Sequence, residues 1–168
     1  HDVELRDRRA VIEMALASGL ELVGGADGND PIAASTYGTG ELIVAAIDAG
    51  ARRILVGVGG SATTDGGLGA VETLGWSLAG VDVIVACDVT TRFVDAARIY
   101  GPQKGASDAE VQLLTRRLER LAEQYASRTG VEVRGVDGSG AAGGLAGGLA
   151  AIGARLEPGF DVVANAAG

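Results

Sequence analysis

The sequence predicts an α/β fold with a mixed or mostly parallel sheet and flanking helices, on three observations. Residues 54–58 (ILVGV) and 81–89 (VDVIVACDV) are almost continuous β-branched, apolar runs, as strands buried on both faces of a parallel sheet require. Residues 68–74 between them fit a short helix, so strand and helix alternate. Residues 108–128 then carry a long amphipathic pattern of unmistakable helical period.

Taken in order, residues 10–15 (AVIEMA) suit either a strand or a helix start, because periodicity does not separate the two. Residues 31–38 read as a loop. Residues 41–49 (ELIVAAIDA) fit a helix with Thr39 as N-cap and Gly50 as its stop. The helix over 108–128 begins at a capping box, in which Ser107 and Glu110 satisfy the first free amides reciprocally. Val111, Leu114, Leu118, Leu121 and Tyr125 mark its apolar face, Arg116, Arg117, Glu119, Arg120 and Glu123 its solvated one, and Gly130 ends it. Cys87 reads as a small buried hydrophobe, and Trp76 and Phe93 as core.

Composition excludes several classes. Glycine accounts for 28 of 168 residues, against about 7% in ordinary usage. Proline is low, at 3, and no Gly-x-y period exists, so collagen is excluded. An apolar content of 47% beside 21% charge excludes a disordered tail. The length suits one domain able to bury a core. With a single cysteine the chain forms no internal disulfide, which makes the cytoplasm the default compartment. The net charge of −8 argues against nonspecific nucleic-acid binding and against anionic membranes. The longest uncharged stretch, residues 138–154, is 17 residues of glycine-rich sequence, too short to span a bilayer. The chain opens at His1 and closes at 165–168 (NAAG) just after an apolar run, which suggests part of something longer.

Half of the glycines fall in two windows, 57–75 and 135–148, each built into apolar sequence. Glycine concentrated in ordered sequence marks positive φ or close backbone approach. The first window runs strand, small-residue loop, helix. Gly59, Gly60, Ser61, Ala62 and Thr63 could turn several N–H groups and hydroxyls toward one anion. Asp65 follows at the helix start. No Walker lysine or ribose-clamping acid accompanies the loop, so it is neither a P-loop nor a dinucleotide fingerprint. A tight strand–helix turn capped by Asp65 is the equally open alternative.

The second window, residues 137–149, reads as a loop entering a helix. Close packing suits Gly147 and Gly148, and a ligand suits Ser139 and Gly140. Lys104, the one lysine beside 13 arginines, sits in the turn Tyr100-Gly101-Pro102-Gln103-Lys104-Gly105. An ammonium there could neutralise a phosphate, or be an ordinary surface lysine. Asp88 ends the strand run 83–87, where carboxyl ends of parallel strands build sites; it could equally be a turn residue. Asp65 with Asp88 could hold Mg²⁺, which usually takes one or two carboxylates plus substrate oxygens.

Six collinear runs carry a resemblance: 11–20, 36–42 (TYGTGEL), 57–67 (GVGGSATTDGG), 86–89 (ACDV), 100–105 (YGPQKG) and 138–145 (GSGAAGGL). Together the chain resembles the bacterial class II glycerate kinases. The resemblance implies ATP-dependent phosphorylation of D-glycerate to 2-phosphoglycerate, with ATP and Mg²⁺ as cofactors and glycerate as the small-molecule partner. It implies that this chain is most of the inserted, restriction-endonuclease-like domain of a two-domain kinase roughly twice as long, inactive alone. It also implies a chain shorter than the family pattern between Trp76 and Val81. On this reading the 59–63 loop binds glycerate carboxylate or phosphate, with Ser139 and Gly140 as further contacts. Asp65 or Asp88 organises Mg²⁺ or the attacking hydroxyl, and Lys104 balances charge. Two alternatives are a Rossmann-like protein binding another nucleotide and a noncatalytic module docking through glycines 140, 144 and 148.

Overall fold

The structure, a computed structural model, describes residues 7–159; His1 and the closing 165–168 lie outside them. Four parallel strands form one sheet in the order β1-β2-β3-β4, namely Arg9–Glu13, Arg53–Gly57, Asp82–Ala86 and Arg155–Glu157. Every pairing is parallel, with Glu13, Gly57, Ala86 and Glu157 in one row across the sheet. Strands that follow each other in sequence, joined by right-handed crossovers, put every connecting helix on the same face. Burial follows that rule. Ala10, Ile12, Ile54, Val56, Val83 and Val85 are buried in one core, and the alternate residues Arg9, Val11, Glu13 and Arg53 are exposed.

The helices are α1 (Ala15–Ser18), α2 (Tyr37–Asp48), α3 (Leu68–Thr73), α4 (Ala96–Tyr100), α5 (Asp108–Thr129) and α6 (Leu145–Ala151). The ambiguous 10–15 run resolves into strand β1 followed at once by α1. α2 starts earlier than the sequence predicts: Thr36, not Thr39, is the N-cap residue. Thr39 lies inside the helix, where its hydroxyl bonds the Ser18 hydroxyl at 2.8 Å. The capping box of α5 is present, with Glu110 N donating to Ser107 Oγ and Ser107 N to Glu110 Oε2.

α5 closes a second core against α3 and α6, built on Leu114, Leu118, Leu121, Phe93 and Tyr125. Phe93 and Trp76 meet the Tyr125 ring edge to face, with centroids 5.9 and 5.6 Å away. Phe93 is fully buried, whereas Trp76 is half-buried beneath the Arg128 guanidinium. The Tyr125 hydroxyl donates to the Gly66 carbonyl at 2.8 Å inside this core. Burial there pushes the Tyr125 phenol well above its ordinary range. Tyr125→Phe strands that carbonyl and should cost about 1.5 kcal/mol. A urea midpoint unchanged from wild type would show the bond to be dispensable.

The two glycine windows are one contact. Gly66 N donates to Gly143 O at 2.9 Å. A Cβ on Gly144 would stand 2.7 Å from Gly66 Cα, and one on Gly148 would stand 2.6 Å from Gly66 O. The bare faces of the α3 loop and of α6 therefore approach backbone to backbone, at a distance only glycine permits. This buries the face that a docking module would need, so glycines 144 and 148 serve the interior of the chain.

Candidate active site

β2 and β3 both end at one cleft of about 390 Å³. Gly59, Gly60 and Ser61 line it beyond β2, as do Ala86 at the end of β3 and Asp88 just past it. Gln103 and Lys104 close it from the turn after α4. This is where a parallel sheet places ligands.

Lys104 is only 6% exposed. Its Nζ donates to Thr63 O at 2.6 Å and to Ser61 Oγ at 3.2 Å. An ammonium carries three donors, so one remains for a ligand. The Tyr100 ring lies 6.0 Å from Nζ, and Tyr100 is held through its hydroxyl by Thr91. Among the described residues Lys104 makes no ion pair. Burial pushes its ammonium from the usual 10.5 down to about 8, offset in part by the charge of Asp65. The surface-lysine alternative is thereby excluded. A buried cation without a counter-ion is costly to hold, and its third donor is open to an anionic partner.

The loop supplies the rest. Gly59 N, Gly60 N and Ser61 N donate to no acceptor among the described residues. A Cβ at Gly59 would meet nothing within 4 Å, so its face is open. Ala62 and Thr63 do not line the cleft. Ala62 N is taken by Ser18 O, and buried Thr63 contributes its carbonyl to Lys104.

Asp88 is exposed in the cleft. Its Oδ1 accepts from Gly159 N at 2.8 Å, a contact across 71 residues and not a local turn. Mg²⁺ is commonly held by one or two carboxylates with substrate oxygens completing the shell. The second oxygen of Asp88 accepts no bond among the described residues and fits a one-carboxylate site. No group of three or more potential metal ligands occurs among those residues.

Asp65 is not brought to this cleft. Its Oδ2 accepts from Thr36 N, Thr36 Oγ1 and Gly69 N, and its Oδ1 from Gly67 N. The carboxylate pins the α3 loop to the start of α2 and lines a different, mainly apolar cleft of about 360 Å³ with Ile32, Leu68 and Leu114. Thr64 beside it has a buried Oγ1 without a hydrogen-bond partner among the described residues. Asp65 and Asp88 therefore line different clefts, and the structure does not bring them together as a shared metal site. Of the two readings of Asp65, the geometry favours the cap.

Ser139 and Gly140 are corrected likewise. Ser139 is fully buried, donating to Val133 O and accepting from Phe93 N. A Cβ on Gly140 would reach the Arg92 carbonyl at 2.5 Å. From that window it is Ala141 and Ala142 that line the cleft. Cys87 is buried as expected, its thiol pushed up by that burial and directed at Val89 O and Gly138 O.

Asn29 escaped the sequence reading. Its Nδ2 donates both to Ala62 O, at 3.0 Å, and to Lys104 O, at 2.9 Å. A lone asparagine in a Gly/Asp-rich loop carries no local signal of contacts 33 and 75 residues away.

Comparison with known proteins agrees with this architecture. The Glycerate kinase family matches residues 2–80 and 77–168. The "Glycerate 2-kinase" of Escherichia coli K12 is 42% identical over 95% of this chain and 50% of its own length. The "Glycerate kinase" of Halalkalibacterium halodurans is 40% identical, over 95% and 51% respectively. The crystal structure of a Salmonella typhimurium LT2 protein assigned as glycerate kinase 2 superposes with a TM-score of 0.89 at 38% identity, over 95% of this chain and 52% of that one. The chain thus spans about half the length of these relatives. Alignment with the E. coli protein runs over 193 positions against 168 residues here, and the two family stretches meet at 77–80. In this chain the short α3–β3 connection turns through positive φ at Gly75, Trp76, Ala79 and Gly80. No helix among the described residues is long and apolar enough to cross a membrane. With a fold, a glycine-loop order and a sequence match that all agree, the chain belongs to the glycerate kinase family.

Proposed function

We propose that the chain is the glycerate-binding portion of an ATP-dependent kinase that forms 2-phosphoglycerate. The observation that carries this reading is the buried Lys104 ammonium, which has no counter-ion among the described residues and shares its cleft with the 59–61 loop, whose backbone N–H groups have no acceptor among them. Together they suit a carboxylate or a phosphoryl oxygen, with the ammonium as a point charge and the amides as directional donors. Phosphoryl transfer needs position and neutralised charge more than covalent help. When bound, ATP supplies the phosphoryl group and Mg²⁺ neutralises charge on its oxygens. Asp88 is the carboxylate that would hold the metal. Lys104 and the 59–61 amides fix the acid end of glycerate, which leaves its hydroxyls directed away from the positive floor. Asp65 acts by shaping the loop. Because the chain covers half of its relatives, turnover requires the remaining portion. The two-domain arrangement and a cytoplasmic location follow from the same reading.

A thermal-shift series with D-glycerate, ATP–Mg²⁺ and NAD tests it on the chain itself. D-glycerate or ATP–Mg²⁺ should raise Tm, and stabilisation by NAD alone would favour the Rossmann-like alternative. For the complete enzyme, ³¹P NMR of the product should show the 2-phosphate ester. The 3-phosphate would overturn that assignment.

The lowered Lys104 pKa fixes a pH dependence. D-glycerate keeps its carboxylate ionised throughout the neutral and basic range, so Lys104 is the group that titrates. Only its protonated form attracts the ligand. Affinity measured by calorimetry should therefore fall as pH rises through about 8, approaching tenfold per pH unit above it. Flat affinity from pH 7 to 9.5 would remove Lys104 from the site. Stability moves the other way. Between about 8 and 10.5 the unfolded chain holds a proton that the native chain has lost, so unfolding becomes harder as pH rises.

A further inference from the structure

We propose that Asn29 is a positioning residue whose carboxamide clamps the Lys104 turn to the 59–63 loop and so holds the ammonium at the anion cleft. The inference rests on the reading of Lys104 as the anion-binding cation. A primary amide has two N–H donors, and Asn29 uses its nitrogen on both sides of the site. Ala62 O belongs to the loop and Lys104 O to the turn. No other side chain among the described residues bonds the backbone of both segments.

A second contact joins the Asn29 segment to the turn. Gly105, at φ +91, has no room for a Cβ because the Ala26 carbonyl occupies that position. The 26–29 segment thus abuts the turn at both Lys104 and Gly105. It leads into a local turn in which Asp30 Oδ1 accepts from Ile32 N and Ala33 N. Proline at 31 further limits its freedom. The 26–29 segment thus lies between the short turn Pro102–Lys104 and the loop whose Thr63 carbonyl receives the ammonium.

Two amide hydrogen bonds to separate elements do more than add stability. They set how deeply Nζ is withdrawn from water. Without Asn29 the hydrogen bonds left between turn and loop, among the described residues, are those of Nζ to Thr63 O and Ser61 Oγ, and water gains access to the ammonium. Among the described residues the other groups near Nζ are the Tyr100 ring and, by charge, Asp65, with Asp88 on the same cleft. None of these changes when Asn29 is replaced, so a shift in Lys104 titration reports the clamp.

Lys104 is the one lysine of the chain, so protein labelled with lysine ¹³Cε gives a single side-chain signal to titrate. The wild-type midpoint should lie near 8. In Asn29→Ala, and in the isosteric but non-donating Asn29→Leu should the smaller variant fold poorly, it should move upward toward 10.5 as the ammonium rehydrates. D-glycerate affinity at pH 7 should fall about tenfold, the worth of one hydrogen bond to a misplaced charge. An unmoved midpoint in either folded variant overturns the proposal, even if urea stability falls, because Asn29 would then be structural only. If wild type binds no D-glycerate, the anion-site reading fails. The NMR midpoint still decides the clamp by itself.

Discussion

Replacing Lys104 by Met is expected to weaken D-glycerate binding about 10- to 100-fold while leaving the fold nearly as stable as before. The first half follows from the loss of a charge-assisted bond in a buried site, worth about 1.5–3 kcal/mol. The second half follows from the cost of keeping that ammonium buried. Lys104 is 6% exposed and pairs with no carboxylate among the described residues, so its bonding to the neutral Thr63 O and Ser61 Oγ only partly offsets desolvation. Methionine fills similar volume without the charge. The two partner oxygens lose a donor, which roughly balances the relief. Calorimetry and urea unfolding on the same sample separate the two terms. Affinity within twofold of wild type would mean that the ammonium is structural. A loss of several kcal/mol in stability would mean that the burial cost has been overstated.

Gly143→Ala should be the most destructive single methyl in the chain, at about 3 kcal/mol of stability. Gly143 sits at φ +65, and the Cβ position is already occupied by the Thr63 carbonyl. A non-glycine residue at such φ costs about 1 kcal/mol, and forcing a methyl into a packed contact adds about 2. The clash is with backbone, which cannot rotate away. Thr63 O is also the closest acceptor of Lys104 Nζ, so surviving folded protein should bind D-glycerate more weakly. Gly135→Ala is the control, because its Cβ would meet nothing within 4 Å, and it should change stability by less than about 0.5 kcal/mol. Equal urea midpoints for the two variants would contradict the interlocked-window account.

How much of this was legible in the sequence depends on how local each feature is. The apolar runs at β2 and β3 and the capping box of α5 are short-range patterns, and each appeared where the pattern places it. Strand β4 is three residues long and α4 five, too short for any period to show. The glycine windows were visible as windows. That they touch each other was not, since the Gly66–Gly143 bond joins residues far apart in the chain.

The site residues divide along the same line. Lys104 was marked by being a solitary lysine in a rigid turn, and Asp88 by ending a strand. Asp65 shows the limit: a carboxylate at a helix start is the same pattern whether it caps the backbone or binds a ligand. Only the four donors around it separate the two. Ser139, a hydroxyl among glycines, reads as accessible, yet Phe93 N and Val133 O enclose it. Asn29 acts entirely through distant carbonyls and leaves no trace in its neighbours.

The central claim is that Lys104 and the amides of the 59–61 loop form the glycerate-binding floor of the cleft at the ends of β2 and β3. A crystal structure with D-glycerate bound tests it most directly. The account predicts the ligand carboxylate within about 3 Å of Lys104 Nζ and of at least one of those amides. Glycerate seated instead in the apolar cleft beside Asp65 and Leu114, with Lys104 untouched, would contradict it.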